Sequence, residues 1–377
     1  MKISALIAEF NPLHAGHKIL LDSMREKSDG VIAIMSGNFV QRGECALFEK
    51  NDRAAAAVKN GVDLVIELPA AYALSSAEGF AKGAVQTLRS CGVVNSLHFG
   101  SECADLQKLS ACADMLNDES VQFSTLLSKK LSTGLSFPAA RQAALEELLP
   151  EGSVLDMPNN ILAVEYIRQL KRLQSDIIPV TIKRAGAGYN DTQTNEKIPS
   201  ASVIRTLLKN GNDAKKYMLY SYTSTPVFMN QFDMLIAARL KAITHTELCT
   251  IPDCNEEIAA RLKSASVYNT FEQIVLDAAC KRYTQSRIRR ILCNMLVGNN
   301  FKKLPFPTYI RPLAFNEKGS EILRKMKSTA SLPVAARGAA LKNDAIFNLE
   351  CRCTDIYNLV CGITGGKEYD SAVQIIR

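Results

Sequence analysis

The chain has 377 residues, 47% hydrophobic and 22% charged, with a formal charge of +7. That composition describes a globular protein of two domains, or one large domain with additions, and excludes disordered and fibrous classes. No apolar run is long enough to span a membrane, and no basic leader precedes the first strand, so the expectation is a cytoplasmic protein with no membrane partner.

The opening stretch is Ile3-Ser-Ala-Leu-Ile-Ala8, a short β-branched apolar run that reads as a buried strand. Asn11-Pro12 breaks it, because a residue before proline avoids the helical region. Gly16 lets the backbone approach a ligand closely, and an apolar-periodic helix is expected from His17. His14 and His17 therefore lie on a strand-to-helix turn, where free N–H groups and the positive end of the helix dipole suit a polyphosphate. Only four histidines occur in the chain, and two are here.

Gly30-Val-Ile-Ala-Ile-Met35 reads as a second buried strand, and the loop after it offers Asn38, Gln41 and Arg42 as pocket residues. A right-handed βαβ unit places this loop and the first turn on the same sheet edge. The alanine-rich helix expected over 50–60 carries Lys50 and Arg53 near its start. A cation is poorly placed there for the dipole, which makes both candidates for a phosphate. Strands follow at 61–68 and 93–99, with a helix at 75–90 between them. Gly100 comes directly after the fourth strand, where a nucleotide can reach the backbone.

Residues 104–150 show helical period and no chemistry, and read as an insertion. In Met157-Pro-Asn-Asn, either Asn159 or Asn160 is placed to N-cap the next helix while the other reads a ligand. A late strand at 178–182 leads to Lys183-Arg184 and the glycine loop 185–190, which suits phosphates or ribose. Ser200 is expected to cap a helix on which Ser202 and Arg205 share one face, a hydroxyl and a guanidinium for the outer phosphates.

Beyond Leu208 the strand–helix alternation fades. From Lys209 to Arg377 there are 24 Lys and Arg against 15 acidic residues, a net of +9, so the first 208 residues are slightly acidic. The asymmetry points to a polyanion held by the rear part. Arg287 and Arg290, spaced i and i+3, are expected to give one basic helical face for an RNA backbone. The eleven cysteines are scattered, and no CxxC pair occurs. They read as small core hydrophobes in a reducing compartment, and no metal site is expected.

His14-Ala-Gly-His17 resembles the HxGH signature of the nucleotidylyltransferase superfamily, and Ser200-Ala-Ser202 to Arg205 resembles its second, serine-rich signature. Glu9 to His17, Met35 to Gly43, Gly61 to Pro69, Phe99 to Glu102, Pro158 to Leu162, Ile182 to Tyr189 and Ser286 to Arg290 run in order along the chain. Together they resemble the bacterial tRNA(Met) cytidine acetate ligases. The resemblance implies a Rossmann-like α/β catalytic domain over 1–208 with parallel strands, followed by a mainly helical, basic tRNA-binding domain over 209–377. It implies an enzyme that uses ATP and acetate, by way of acetyl-adenylate, to form N4-acetylcytidine at the wobble position of elongator tRNA(Met). Mg²⁺ is expected with the ATP, and no protein partner is indicated.

The resemblance assigns His14 and His17 as the catalytic pair. ATP would contact Ile7, Ala8, Glu9, Phe10, Asn11, Pro12, Leu13, His14, Ala15, Gly16, His17, Lys18, Ile19 and Leu20. Gly100, Asn159 or Asn160, Arg184, Ser202 and Arg205 complete that set, and Arg287 and Arg290 would hold RNA. Two other readings share some of these residues. A small-molecule nucleotidylyltransferase needs the two histidines but no basic rear half, and a non-catalytic RNA-binding protein needs the basic half but not two phosphate signatures.

Overall fold

A computed structural model describes residues 1–118, 120–149, 154–184 and 199–377. Its centre is a seven-stranded sheet in the order Ile178–Lys183, Ser96–Ser101, Ile3–Ala8, Gly30–Ser36, Leu64–Leu68, Pro312–Phe315, Gln374–Ile375. The first five strands in that order are parallel, and Pro312–Phe315 runs antiparallel against Leu64–Leu68.

The central strands are mainly apolar because both their faces are covered, as buried parallel strands require, whereas the edge strand Ile178–Lys183 is part-exposed. Side chains alternate between the faces. Ile3, Ala5, Ile32 and Ile34 face a core shared with Phe80, Val85 and Val164 from helices Ala77–Cys91 and Pro158–Arg172. Leu6, Val31, Ala33 and Met35 face the opposite way, onto Leu21 and Met24 of helix Ala15–Arg25 and Ala54 to Val58 of helix Lys50–Lys59. The expected insertion forms three helices, Leu106–Asp118, Val121–Ser132 and Phe137–Leu148.

A third core is helical. It joins Phe232, Ile236, Leu240, Leu262, Phe271, Ile274, Ile288 and Leu292, with Leu349, Cys353 and Tyr357 of helix Ala345–Val360. Phe39 and Cys45, from the two-stranded ribbon after the second main strand, also belong to it.

A division at residue 208 does not follow this packing. The chain returns to the sheet, where Pro312–Phe315 forms an edge strand and Ile322 and Met326 of helix Glu317–Thr329 join the first core. The strand is only four residues long and opens with proline, so it carries no periodic signal. The mainly helical unit runs from about residue 226 to 300, inside a longer rear half.

Lys50 is fully buried, and so is not a phosphate ligand: its Nζ donates to Glu67 Oε1 at 2.6 Å and to Glu368 Oε1 at 2.7 Å. Arg311 donates to Glu67 Oε2 at 3.1 Å and also to Glu368. Two cations thus meet two carboxylates across 318 residues of chain. Glu350 is the fifth member. Burial, then the neighbouring Glu67 carboxylate, pushes its carboxyl up to about 8, so it is protonated at neutral pH and the network balances.

A raised carboxyl stabilises the fold fully below the ordinary carboxylate range and loses that contribution as pH rises through about 8. Urea-unfolding midpoints should therefore fall from pH 6 to 9. Glu350→Gln, which keeps the shape without the proton, should flatten that fall. An unchanged slope in the variant would place the titrating proton elsewhere.

Candidate active site

Strand order reverses beside Ile3–Ala8, whose neighbours are the second and the fourth strands of the chain. Open α/β sheets bind ligands in the crevice at such a point, outside the carboxyl ends of the strands. Here that crevice lies between the turn Glu9–His17 and the end of strand Ser96–Ser101; Gly100 pairs with Ile182 inside that strand rather than following it.

The turn is held from below. Arg53 is completely buried and donates to the Phe48 carbonyl through Nε at 2.9 Å, to the Glu9 carbonyl through Nη1 at 2.5 Å and to the Ser36 carbonyl through Nη2 at 3.0 Å, and Nη2 also reaches the Gly37 carbonyl. It is therefore structural, not a phosphate ligand. Asn11 accepts the Leu47 N–H at 2.7 Å, and Leu13 N–H donates to the Tyr222 hydroxyl at 2.9 Å. Asn38 is likewise buried, where its carbonyl oxygen accepts the Lys50 N–H at 3.0 Å.

The first helix begins at Ala15, two residues earlier than expected, because His14 is its N-cap. His14 Nδ1 accepts the Gly16 N–H at 3.0 Å, and His17 Nδ1 accepts the His14 N–H at 3.3 Å. The two imidazoles do what serine and glutamate do in an ordinary capping box. An accepting Nδ1 leaves the ring proton on Nε2, so each ring keeps one N–H donor for a ligand. Their centroids are 4.1 Å apart. Burial, then the Arg184 guanidinium, lowers the His14 imidazole to about 4. Burial lowers His17 further, aided by His14 and Arg184. Both rings are neutral donors at physiological pH.

Around this pair the structure gathers most of the expected residues. Arg205 donates to the Asn11 carbonyl at 3.0 Å, which brings the second signature onto the first. Ser200 caps helix Ala201–Lys209, and its hydroxyl lies 2.8 Å from that of Ser202. Across the crevice, Arg184 donates to Asn159 Oδ1 at 2.8 Å. A Cβ on Gly100 would come within 2.9 Å of Arg184 Cγ, so glycine leaves room for that guanidinium to cross the strand end. Glu9 is half-buried and accepts the Gln41 N–H at 2.8 Å, and desolvation raises its carboxyl.

Neither Asn159 nor Asn160 is the N-cap. Helix Pro158–Arg172 starts with proline, and the Glu102 carboxylate caps it by accepting the Asn160 N–H at 2.9 Å and the Asn159 N–H at 3.4 Å. Asn160 is buried and its side chain accepts from Glu102 and Cys103 N–H at 2.9 and 3.2 Å. Asn159 alone turns to Arg184. The role of Glu102 had no signal in sequence, since its partners lie 57 and 58 residues away. The glycine loop 185–190 falls outside the described residues.

Arg287 is half-buried on helix Gln285–Leu296, with its guanidinium 5.4 Å from the Tyr283 ring and donating to the Asp253 carbonyl at 2.7 Å. Arg290 is buried, so the expected two-arginine basic face is not formed. Lys281 and Arg282, just before the helix, are exposed instead. No helix among the described residues is long and apolar enough to cross a membrane.

A neutral histidine pair on the first strand-to-helix turn, beside a topological switch point and two arginines, defines a nucleotidyl-transferring α/β protein. Residues 1–370 match the family model of the HIGH Nucleotidyl Transferases. A tRNA(Met) cytidine acetate ligase of Clostridium kluyveri is 38% identical, with 100% of this chain and 99% of that protein covered. One from Thermoanaerobacter sp. is also 38% identical, over 95% of each chain. The crystal structure of Thermotoga maritima TmcAL in its apo form superimposes with a TM-score of 0.92 at 31% identity, covering 100% of both chains. The same protein bound with alpha-thio ATP gives 0.87 at 30% identity. The chain belongs to the tRNA(Met) cytidine acetate ligase family.

The ring protons of His14 should titrate with a midpoint near pH 4 in a nuclear magnetic resonance titration, and His14→Gln should remove that titration. A midpoint in the ordinary histidine range would mean that the pair is charged when it meets a nucleotide.

Proposed function

We propose that this chain is an ATP-dependent ligase that joins acetate to the N4 amine of the wobble cytidine in elongator tRNA(Met). The observation that carries this reading is the convergence of His14, His17, Arg184 and Arg205 on one crevice. Membership of the family along the full length supports it.

Acetate is a poor acyl donor because its leaving group would be oxide. A carboxylate oxygen attacks the α-phosphorus of ATP, the bond to the β-phosphate bridge breaks, and pyrophosphate leaves. The resulting acetyl-adenylate has AMP as its leaving group. The cytidine N4 attacks the acyl carbon, the bond to AMP breaks, and N4 sheds a proton to solvent.

Charge grows on the α-phosphate and the departing pyrophosphate, and preorganised donors aimed at that charge lower the barrier. The two Nε2–H groups and the helix N-terminus face the α-phosphate in this reading, while Ser202 and Arg205 take the outer phosphates. Gly100, Asn159 and Arg184 hold the nucleoside side. The carboxylates at this edge already have partners: Glu9 with Gln41, Glu102 with the helix start, and Glu44 with Arg205 at 3.5 Å. That donor set fits Mg²⁺ carried in on the triphosphate and water rather than held in a protein cage. When bound, the ion would neutralise charge on the triphosphate, whose outer phosphates Ser202 and Arg205 take in this reading.

The basic rear half holds the tRNA, with Arg287, Lys281 and Arg282 against phosphates, and the target base turned out of its loop into the crevice. A tRNA substrate accords with work in the cytoplasm.

Incubation with ATP, labelled acetate and bulk tRNA, followed by nucleoside mass analysis, should yield labelled N4-acetylcytidine. Pyrophosphate exchange into ATP should depend on acetate, and absence of that dependence would favour a small-molecule nucleotidylyltransferase. His14→Ala should lower acetylation by about 10²–10³-fold while tRNA affinity holds. Arg287→Ala should weaken tRNA binding and make the logarithmic salt slope shallower by about 1, with exchange activity kept. An unchanged slope would remove Arg287 from the interface.

A further inference from the structure

Far along the chain from the crevice, three different metal-binding side chains converge on the helical unit. His245, Cys249 and Glu256 each offer one ligand atom, and those atoms lie within 4.8 Å of one another. His245 and Cys249 come from the turn His245–Leu248 and the residue after it, and Glu256 opens the helix Glu256–Ala265.

The two helix starts are capped without help from these three groups. Thr244 and Glu247 form a reciprocal capping box, with the Glu247 carboxylate accepting the Thr244 N–H at 2.8 Å. Asn255 caps the second helix by accepting the Ile258 N–H at 2.9 Å. The adjacent Glu257 is engaged by the Tyr283 hydroxyl at 2.5 Å and by Arg282 at 3.3 Å. Glu256 is the carboxylate left facing the imidazole and the thiol.

The histidine is set up as a ligand. Its Nε2 lies 3.3 Å from the Glu256 backbone carbonyl, an acceptor, so Nε2 carries a proton. Donating one ring N–H to a carbonyl is how metal-binding imidazoles are oriented. The other nitrogen, Nδ1, then points a lone pair at a Glu256 carboxylate oxygen 3.4 Å away. Two acceptors at that distance repel unless a positive charge lies between them, either a proton or a metal ion. The nearby thiol favours the ion. The Cys249 thiol gives its proton to solvent as a metal–sulfur bond forms, and thiolate plus carboxylate then balance a divalent charge.

We propose that His245 Nδ1, Cys249 Sγ and a Glu256 carboxylate oxygen form a site for a zinc-class divalent cation, with water completing the tetrahedron. One nitrogen, one sulfur and one oxygen donor suit zinc, and the sulfur and nitrogen disfavour calcium and magnesium. Bonds of about 2.0–2.3 Å bring donors to roughly 3.5 Å apart. Glu256 is the most exposed of the three, so its carboxylate has room to move toward the imidazole, which stays on the Glu256 carbonyl. The ion would clip the ends of the loop 249–255. Within that loop Asp253 sits at a φ of +63°, and its carbonyl receives both Arg287 donors, at 3.1 and 2.7 Å. A clipped loop is thus a fixed seat for Arg287. The cysteine-spacing argument missed the site because its ligands are spaced His-x3-Cys-x6-Glu, with a single thiol.

The test uses the tag-free full-length chain, stripped with a chelator and given Zn²⁺ or Co²⁺ alone. One equivalent of zinc should survive gel filtration, and cobalt should give a thiolate-to-metal absorption band. Cys249→Ser should abolish the band. His245→Ala, and Glu256→Gln at a position too exposed to disturb folding, should weaken zinc binding roughly tenfold or more. Cys361→Ser should change nothing. No thiolate–cobalt band in the parent chain, or a band that survives Cys249→Ser, would overturn the site and leave an ordinary imidazolium–carboxylate pair.

Discussion

The crevice depends on one buried guanidinium. Backbone carbonyls just past the ends of parallel strands have left the sheet ladder, and burying them without a donor costs free energy. Arg53 supplies donors to three such groups at the ends of the first two strands, on Glu9, Ser36 and Gly37, and to the Phe48 carbonyl before its own helix. In doing so it joins the loops that follow the first and second strands, which are the two walls the nucleotide turn is built on. The charge sits near the start of its own helix, where the dipole opposes it. Charge-assisted bonds to carbonyls outweigh that penalty, because each is worth more than the dipole term at one helix end. Lys50, one turn earlier, does the equivalent for the third strand through Glu67.

With the turn fixed in this way, its histidines can serve as caps and as ligands at once. A serine cap would use its one oxygen on the backbone. An imidazole has two nitrogens, so one side caps and the other faces the crevice. Burial keeps both rings uncharged, and positive charge comes instead from Arg184, Arg205 and the helix end. The site therefore does not lose or gain a proton on its two central donors as pH moves through the neutral range.

The sheet was legible where the pattern is local. Strands buried on both faces are mainly apolar runs, and the glycine, proline and histidine of the first turn report its shape directly. The same local reading misplaced groups whose partners are remote in sequence. Lys50 and Arg53 read as candidates for a phosphate because Glu368 lies 318 residues from Lys50 and the carbonyls under Arg53 carry no sequence signature. Asn160 and Arg290 obeyed the spacing rules for a ligand and a basic stripe, yet tertiary packing buried both. Glu102 was invisible as a helix cap, since a capping side chain is normally sought within the preceding few residues.

The return of the chain to the sheet changes how the two halves relate. Arg311 and Glu368 close the buried charge network, Tyr222 holds Leu13, and Tyr357 donates to the Ala46 carbonyl at 3.0 Å. These contacts tie the rear half to the same strand ends that form the crevice. The helical unit is consequently not a module on a tether. It shares a core with the ribbon that follows the second strand, through Phe39 and Cys45. In the proposed reaction, an acyl-adenylate left waiting for a partner that must find it by diffusion would hydrolyse. With the helical unit packed onto the loops of the crevice, the proposed function would have the distance between RNA and activated carboxyl fixed before either arrives, and the buried ion network secures that packing.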